Sequence, residues 1–324
     1  MDKVARLSLE KRADLFSQTA ANKRMTPAVV EKDFWVSWVL KHLYQHDELT
    51  RLLMFKGGTS LSKVYQLIDR FSEDIDLILD WRTLTGEDPM AQRSRTQQEK
   101  FNGAINEQAR VFIANHLLAL VTDMLDGICQ CEIEEDPYVI NIQYPGSFPD
   151  DYLRPEVRLE IGPLAAWSPF EEKVIRCYAA EEFPEVFDNT ECTVKVVRAE
   201  RTFWDKATIL HHEAHRPDGS VQPLRYSRHY YDLAKLANAD VRQSALADKD
   251  LLASVVEFKQ RFYPRGWARY DLARSGSFRL IPEGAVLAAV RADYTAMQNM
   301  IFGDAPAMDS IMETLESLQD EINK

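Results

Sequence analysis

Apolar residues recur at spacings of three and four along the first fifty positions, which predicts helices there. Thr26-Pro27 places a capping hydroxyl ahead of a proline suited to the first helical position. Behind it Val30, Phe34, Trp35, Trp38, Val39 and Leu43 share one stripe, the pattern of an amphipathic core helix. The next segment, LLMFKGGTSLSKVYQLI, reads as a strand or tight lead-in, a turn and a second helix. In DIDLILDW, Ile75, Leu77 and Leu79 alternate with Asp74, Asp76, Ile78 and Asp80, a half-buried strand of period two. The polar stretch from Leu84 to Gln98 predicts a loop, and a helix is expected from about Phe101 to Leu125. ICQCEIEE, YVINIQYP, VRLEIGPL and TVKVVRAE are strand-like, with turn signals at Pro145-Gly146-Ser147 and Pro149-Asp150-Asp151 between them. Beyond Glu200 the pattern is helical to the C-terminus. The expectation is an α+β domain over 1–197, with the helices of 1–50 packed on it, followed by a helical domain over 198–324.

Composition narrows the class. The 324 residues are 45 % hydrophobic and 28 % charged, which excludes wholesale disorder, and no window approaches a membrane span. The opening MDKVARLSLEKRADLF has no apolar core, so no signal peptide is expected. Cys129, Cys131, Cys177 and Cys192 form no CxxC pair and read as reduced thiols of a cytoplasmic protein. His211 and His215 are four apart but lack the HExxH order, which makes them a polar helix end rather than a zinc site. The aromatic group Phe203, Trp204, Tyr230 and Tyr231 reads as core. A net charge of −12 opposes binding of nucleic acid over the whole surface. Any such partner needs a local basic face, for which Arg82, Arg93, Arg95, Arg225 and Arg228 are candidates.

The segment Lys56-Gly57-Gly58-Thr59-Ser60, followed by Asp74-Ile75-Asp76, carries the chemistry. Glycines let a backbone approach a phosphate, and the amides and hydroxyls opening a helix can bond its oxygens. Two carboxylates two apart on a strand leave one face and repel each other unless a cation lies between them. Singly, a glycine pair is a turn and a DxD a solvated strand face. Joined, they have the form that metal-assisted nucleotidyl transfer requires. A P-loop is excluded because Lys56 precedes the glycines, and a dinucleotide fingerprint because GxGxxG is missing.

KGGTSLSKVY and RFSEDIDL resemble the first motif of the DNA polymerase β-type nucleotidyltransferase superfamily, and more narrowly that of the AbiEii/AbiGii toxin family. Glu200-Arg201-Thr202-Phe203-Trp204-Asp205-Lys206, Ser227-Arg228-His229-Tyr230-Tyr231-Asp232-Leu233 and the opening Val30-Glu31-Lys32-Asp33-Phe34-Trp35 are similar to further motifs of that family. The resemblance implies a nucleotidyltransferase-like mixed or antiparallel sheet with flanking helices and a helical C-terminal domain. It implies an NTP substrate held at Lys56, Gly57, Gly58, Thr59, Ser60 and Lys206. It further implies Mg²⁺ on Asp74 and Asp76, and a downstream acidic residue, Asp232, needed for activity. Such sites take a third carboxylate from a neighbouring strand; Glu160 is the candidate, with Glu132 and Glu134 spaced similarly. The family further implies a toxin with a separate antitoxin protein, modifying RNA, the 3′ end of tRNA. A nucleotide-binding interaction protein without transferase chemistry, or an enzyme that modifies a protein side chain, are the alternatives.

Overall fold

A computed structural model describes residues 1–150 and 153–324; Asp151, the last residue of the expected Pro149–Asp151 turn, lies outside them. The chain divides into two compact units, one of residues 1–64 and 72–197, the other of residues 65–71 and 198–324.

The first unit runs α1 (Asp2–Ala5), α2 (Leu9–Lys23), α3 (Pro27–Gln45), α4 (Leu49–Leu52), β1 (Leu53–Lys56), α5 (Gly57–Lys63), β2 (Asp74–Leu79), α6 (Arg95–Phe112) and α7 (Leu118–Met124). It continues through β3 (Gln130–Glu132), β4 (Val139–Gln143), β5 (Glu156–Gly162), β6 (Phe170–Arg176), α8 (Tyr178–Glu182) and β7 (Glu191–Val197). The seven strands form one mixed sheet in the order β3-β4-β5-β2-β1-β7-β6. β2 runs antiparallel to β1 and parallel to β5, and β1 meets β7 in parallel. The paired carboxylates therefore lie on the central strand.

Alternation assigns the two faces of this sheet. Ile75, Leu77 and Leu79 of β2 are buried, as are Val157, Leu159 and Ile161 of β5 and Val194 and Val196 of β7. On β2 and β5 the intervening Asp74, Asp76, Arg158 and Glu160 are only partly buried. Helix α3 packs against β5 and β7. Its start follows the expected chemistry: Thr26 Oγ1 accepts the Val29 amide at 3.3 Å, and Pro27 is the first helical residue. The helix is not, however, a one-sided amphipath. From Ala28 to Lys41 every residue is buried, Glu31, Lys32, Asp33, Ser37 and Lys41 included.

Two boundaries depart from expectation for local reasons. Helix α6 starts at Arg95, not near Phe101, because Ser94 and Gln97 close a capping box that extends it into the presumed loop. Strand β6 falls in a segment that gives no strand signal. It is the sheet edge, antiparallel to β7, and its FEEKVIR sequence exposes residues on both faces.

The second unit is helical: α9 (Ala199–Glu213), α10 (Ser227–Ala237), α11 (Val241–Ala247), α12 (Lys249–Phe262), α13 (Gly284–Met297) and α14 (Met308–Ile322). Helix α10 packs against α9, α13 and α14. Residues 65–71 join it through backbone bonds from Phe71 N to Met300 O and from Phe302 N to Asp69 O, both 2.7 Å. No helix among the described residues is long and apolar enough to cross a membrane.

Candidate active site

Strand β1 passes directly into α5 at Gly57, whose φ of +83° is a conformation L side chains rarely adopt. The reason for a glycine is also steric. A Cβ there would lie 2.0 Å from Asp76 Oδ2 and 2.9 Å from Asp76 Cβ, so the glycine backbone is pressed against the second carboxylate of the pair. The hydroxyls that follow are engaged internally. Ser60 Oγ donates to Gly57 O at 2.8 Å. Thr59 Oγ1 contacts Ser72 Oγ at 2.9 Å and donates to the Asp74 carbonyl, tying the start of α5 to the start of β2.

Register places the charged groups. Asp74 lies opposite Arg158 and Asp76 opposite Glu160 on β5, while Lys56 lies opposite Asp76 on β1. Of the carboxylates weighed as a third member, Glu160 alone stands on a strand beside β2. Glu132 is on β3, at the sheet edge, and Glu134 accepts a bond from Asn141 Nδ2 at 3.1 Å. Arg158 Nη1 is 4.0 Å from Asp74 Oδ1 and 3.5 Å from Glu160 Oε1, so a fixed cation already faces two of these carboxylates. Burial, then the neighbouring Glu73 and Asp76, push the Asp74 carboxyl above its ordinary pKa, against the pull of Arg158 and Lys32. Asp74 Oδ1 is buried without a hydrogen-bond partner.

These are hard oxygen donors with one orphaned buried atom, which suits a divalent ion of the Mg²⁺ class. No group of three His, Cys, Asp or Glu side chains among the described residues is gathered closely enough to hold a metal. Asp74 and Asp76 are thus the better-placed pair, with Glu160 turned towards Arg158.

A second cluster lies in the helical unit. Asp232 of α10 accepts two bonds from Arg70, Nε to Oδ1 at 2.6 Å and Nη2 to Oδ2 at 2.8 Å, and Lys206 Nζ of α9 meets Oδ2 at 2.7 Å. The Asp232 and Lys206 side chains are 0 % and 8 % exposed, so this is an interior ion-pair knot rather than a surface pair. Burial alone would raise the Asp232 pKa; Arg70 and Lys206 outweigh it and hold the carboxyl below the usual range. Burial, with the Lys206 and Arg228 cations, keeps His229 neutral. Sequence reasoning missed Arg70 as the partner of Asp232, although Arg70 opens the quoted RFSEDIDL segment.

Other expectations resolve differently. His211, expected with His215 at a polar helix end, lies instead in the interior beside His212. Both are buried, His211 Nδ1 accepting the Arg279 amide at 3.1 Å and its Nε2 lying 3.0 Å from the Arg269 carbonyl. Phe203, Trp204, Tyr230 and Tyr231, by contrast, are buried core as expected. Arg93 is enclosed by its own loop, bonding the Pro89, Ala91 and Asp88 carbonyls and Glu87 while covering Phe101 at 3.9 Å. Arg95, at 87 % exposure, and Arg228 remain on the surface.

Comparison with known proteins supplies the family. Residues 38–319 match the family described as nucleotidyl transferase AbiEii toxin, type IV toxin–antitoxin system. No curated protein sequence matches the chain. A similar solved structure is that of the nucleotidyltransferase toxin MenT4 from Mycobacterium tuberculosis H37Rv. The two share 16 % identity and a TM-score of 0.42 over 96 % of this chain and 97 % of that one. Matched over most of its length, this chain belongs to the AbiEii family of nucleotidyltransferase toxins.

Proposed function

We propose that this toxin is a Mg²⁺-dependent enzyme that transfers a nucleotidyl group from an NTP to the 3′ end of tRNA in the cytoplasm, and that it is restrained by a cognate antitoxin protein. The observation that carries the reading is the register of Asp74 and Asp76 against Arg158 and Glu160, with Gly57 pressed on Asp76. Asp74 and Asp76 would hold the metal, with Glu160 as the neighbouring carboxylate. When bound, Mg²⁺ supplies charge neutralisation at the reacting phosphate and activation of the acceptor hydroxyl.

The chain's own residues do the rest. The backbone at Gly57 and Gly58 would receive the triphosphate, with Asp76 held against Gly57 at its side. Lys56, and Thr59 and Ser60 through the turn they hold, shape that cradle. Arg158 offsets carboxylate repulsion before substrate arrives and opposes, without cancelling, the rise that burial imposes on the Asp74 pKa. In the helical unit Asp232, itself held by Arg70, fixes the ammonium of Lys206, the proposed phosphate-binding cation of that unit. Arg95 and Arg228 are exposed cations suited to RNA phosphates. The test is to incubate the protein with each labelled NTP, Mg²⁺ and total RNA. Label is expected in tRNA; label in protein alone, or none with any NTP, overturns the assignment of acceptor or of chemistry.

A further inference from the structure

Three consecutive charged residues of α3, Glu31, Lys32 and Asp33, are buried, and none of them belongs to the nucleotide or metal assignments above. Adjacent helical residues point about 100° apart, so the triplet reaches three different parts of the first unit. Glu31 accepts the amides of Ser147 and Phe148 at 2.8 to 3.0 Å. Asp33 pairs with Lys63 in the last turn of α5 and accepts the Tyr178 amide at 2.7 Å. Lys32, between them, goes to the carboxylate strands.

The Lys32 ammonium has three donors and finds three acceptors. It bonds Glu73 Oε2 at 3.3 Å, the Arg154 carbonyl at 2.8 Å and the Glu156 carbonyl. Glu73 Oε2 also accepts the Arg154 amide at 3.0 Å. Glu73 immediately precedes Asp74 on β2; Arg154 and Glu156 lie where β5 begins, ahead of Arg158 and Glu160. One interior charge therefore joins the starts of the two parallel strands whose register sets the carboxylates side by side. Buried ion pairs contribute little net stability and are frequently replaceable by apolar groups. Generic core packing thus does not explain a fully desolvated lysine at this junction.

We infer that Lys32 is a positioning residue: through Glu73 and the Arg154 and Glu156 carbonyls, it locks β2 against β5 and so holds Asp74 and Asp76 in place for the metal. The inference rests on the metal reading proposed above. Lys32→Met alone would strand the Glu73 carboxylate in the interior, so the informative variant is Lys32→Met with Glu73→Gln, which removes both charges together.

Hydrogen exchange on the metal-free protein reads the clamp directly. Exchange on the order of tenfold faster is expected at the β2 and β5 amides, with the β6–β7 ladder and the helical unit unchanged. Mn²⁺ titration followed by electron paramagnetic resonance should show affinity lowered about tenfold, beside an Asp76→Asn control that abolishes binding. Unchanged exchange at β2 and β5 overturns the inference. So does a loss of protection spread over the whole unit, or faster strand exchange with Mn²⁺ affinity intact. If the wild-type chain shows no Asp76-dependent Mn²⁺ binding, the metal reading fails instead, and the exchange data alone decide whether Lys32 clamps the strands.

Discussion

Gly57→Ala adds one methyl group at the point where α5 leaves β1, and the cost has two separable parts. The first is conformational: φ of +83° at an L residue costs about 1–2 kcal/mol. The second is steric, because the new Cβ would sit 2.0, 2.6 and 2.9 Å from Asp76 Oδ2, Cγ and Cβ. Rotating the carboxylate away relieves the first two contacts but not the third, which is fixed to the strand. Overpacking of this kind costs roughly 1–3 kcal/mol. The sum, roughly 2–5 kcal/mol, should lower the urea midpoint by about 1–2.5 M at a slope near 2 kcal/mol/M. NTP-dependent labelling should fall towards the level of Asp76→Ala, since Asp76 is the atom group displaced. Combining the two substitutions isolates the carboxylate's part: in an Asp76→Ala background the destabilisation by Gly57→Ala should shrink by the carboxylate's share, leaving the backbone share and the contact with the Cβ that alanine retains. A Gly57→Ala protein with wild-type midpoint and wild-type labelling would refute the close approach itself. One that is less stable but fully active would refute the need for Asp76 at that place.

Asp74→Ala and Asp76→Ala are each expected to fold and to lose about 10³-fold or more in transfer rate, measured with labelled NTP under excess Mg²⁺. The raised Asp74 pKa means that the folded state binds the proton more tightly than the unfolded one, so stability falls as pH rises from the ordinary aspartate value towards the folded one. Metal-free Asp74→Asn should therefore melt above wild type at pH 7, an advantage that vanishes below about pH 4; a lower melting temperature at pH 7 contradicts this. Asp232, depressed by Arg70 and Lys206, has the opposite sign: its stabilisation is complete at neutral pH and is lost as pH falls through and below the usual aspartate range. Asp232→Ala leaves Arg70 and Lys206 buried without an anion and should cost about 3–5 kcal/mol, so circular dichroism must accompany its activity assay; a wild-type unfolding curve would refute the knot. Reversing Arg95 and Arg228 to Glu should lower RNA labelling but not NTP binding, and the deficit should shrink as salt rises; normal labelling at low salt would place the acceptor elsewhere.

What could be read from the sequence follows its local signals. The start of α3 is written in Thr26-Pro27, and β2, β4, β5 and β7 in the alternation of apolar and polar residues. The capping box at Ser94 and Gln97 is equally local and was available as SRTQ, although polarity made that stretch resemble a loop. Strand β6 was not legible, because an edge strand open on both faces has no periodicity to show. The same limit applies to the site. Asp74 and Asp76 share a face by local geometry alone, whereas Arg158 beside Asp74, and Arg70 on Asp232, depend on strand register and helix packing over long stretches of chain. The burial of Glu31, Lys32 and Asp33 runs against the ordinary exposure of such residues, and nothing in their spacing announces it.

The strand order bears on when this toxin can first become active. Pairings between distant segments are slow to form, and domains tend to fold as units as the chain is synthesised. The central strand β2 acquires its β5 neighbour only after Glu160 has been translated, and β1 its β7 neighbour only after Val196. A ribosome-bound chain that has exposed GGTS and DID thus carries the motif without the strands that flank it in the folded sheet. The proposed centre therefore gains its flanking strands only as the chain grows from its midpoint, at β5, to the end of the first unit, at β7.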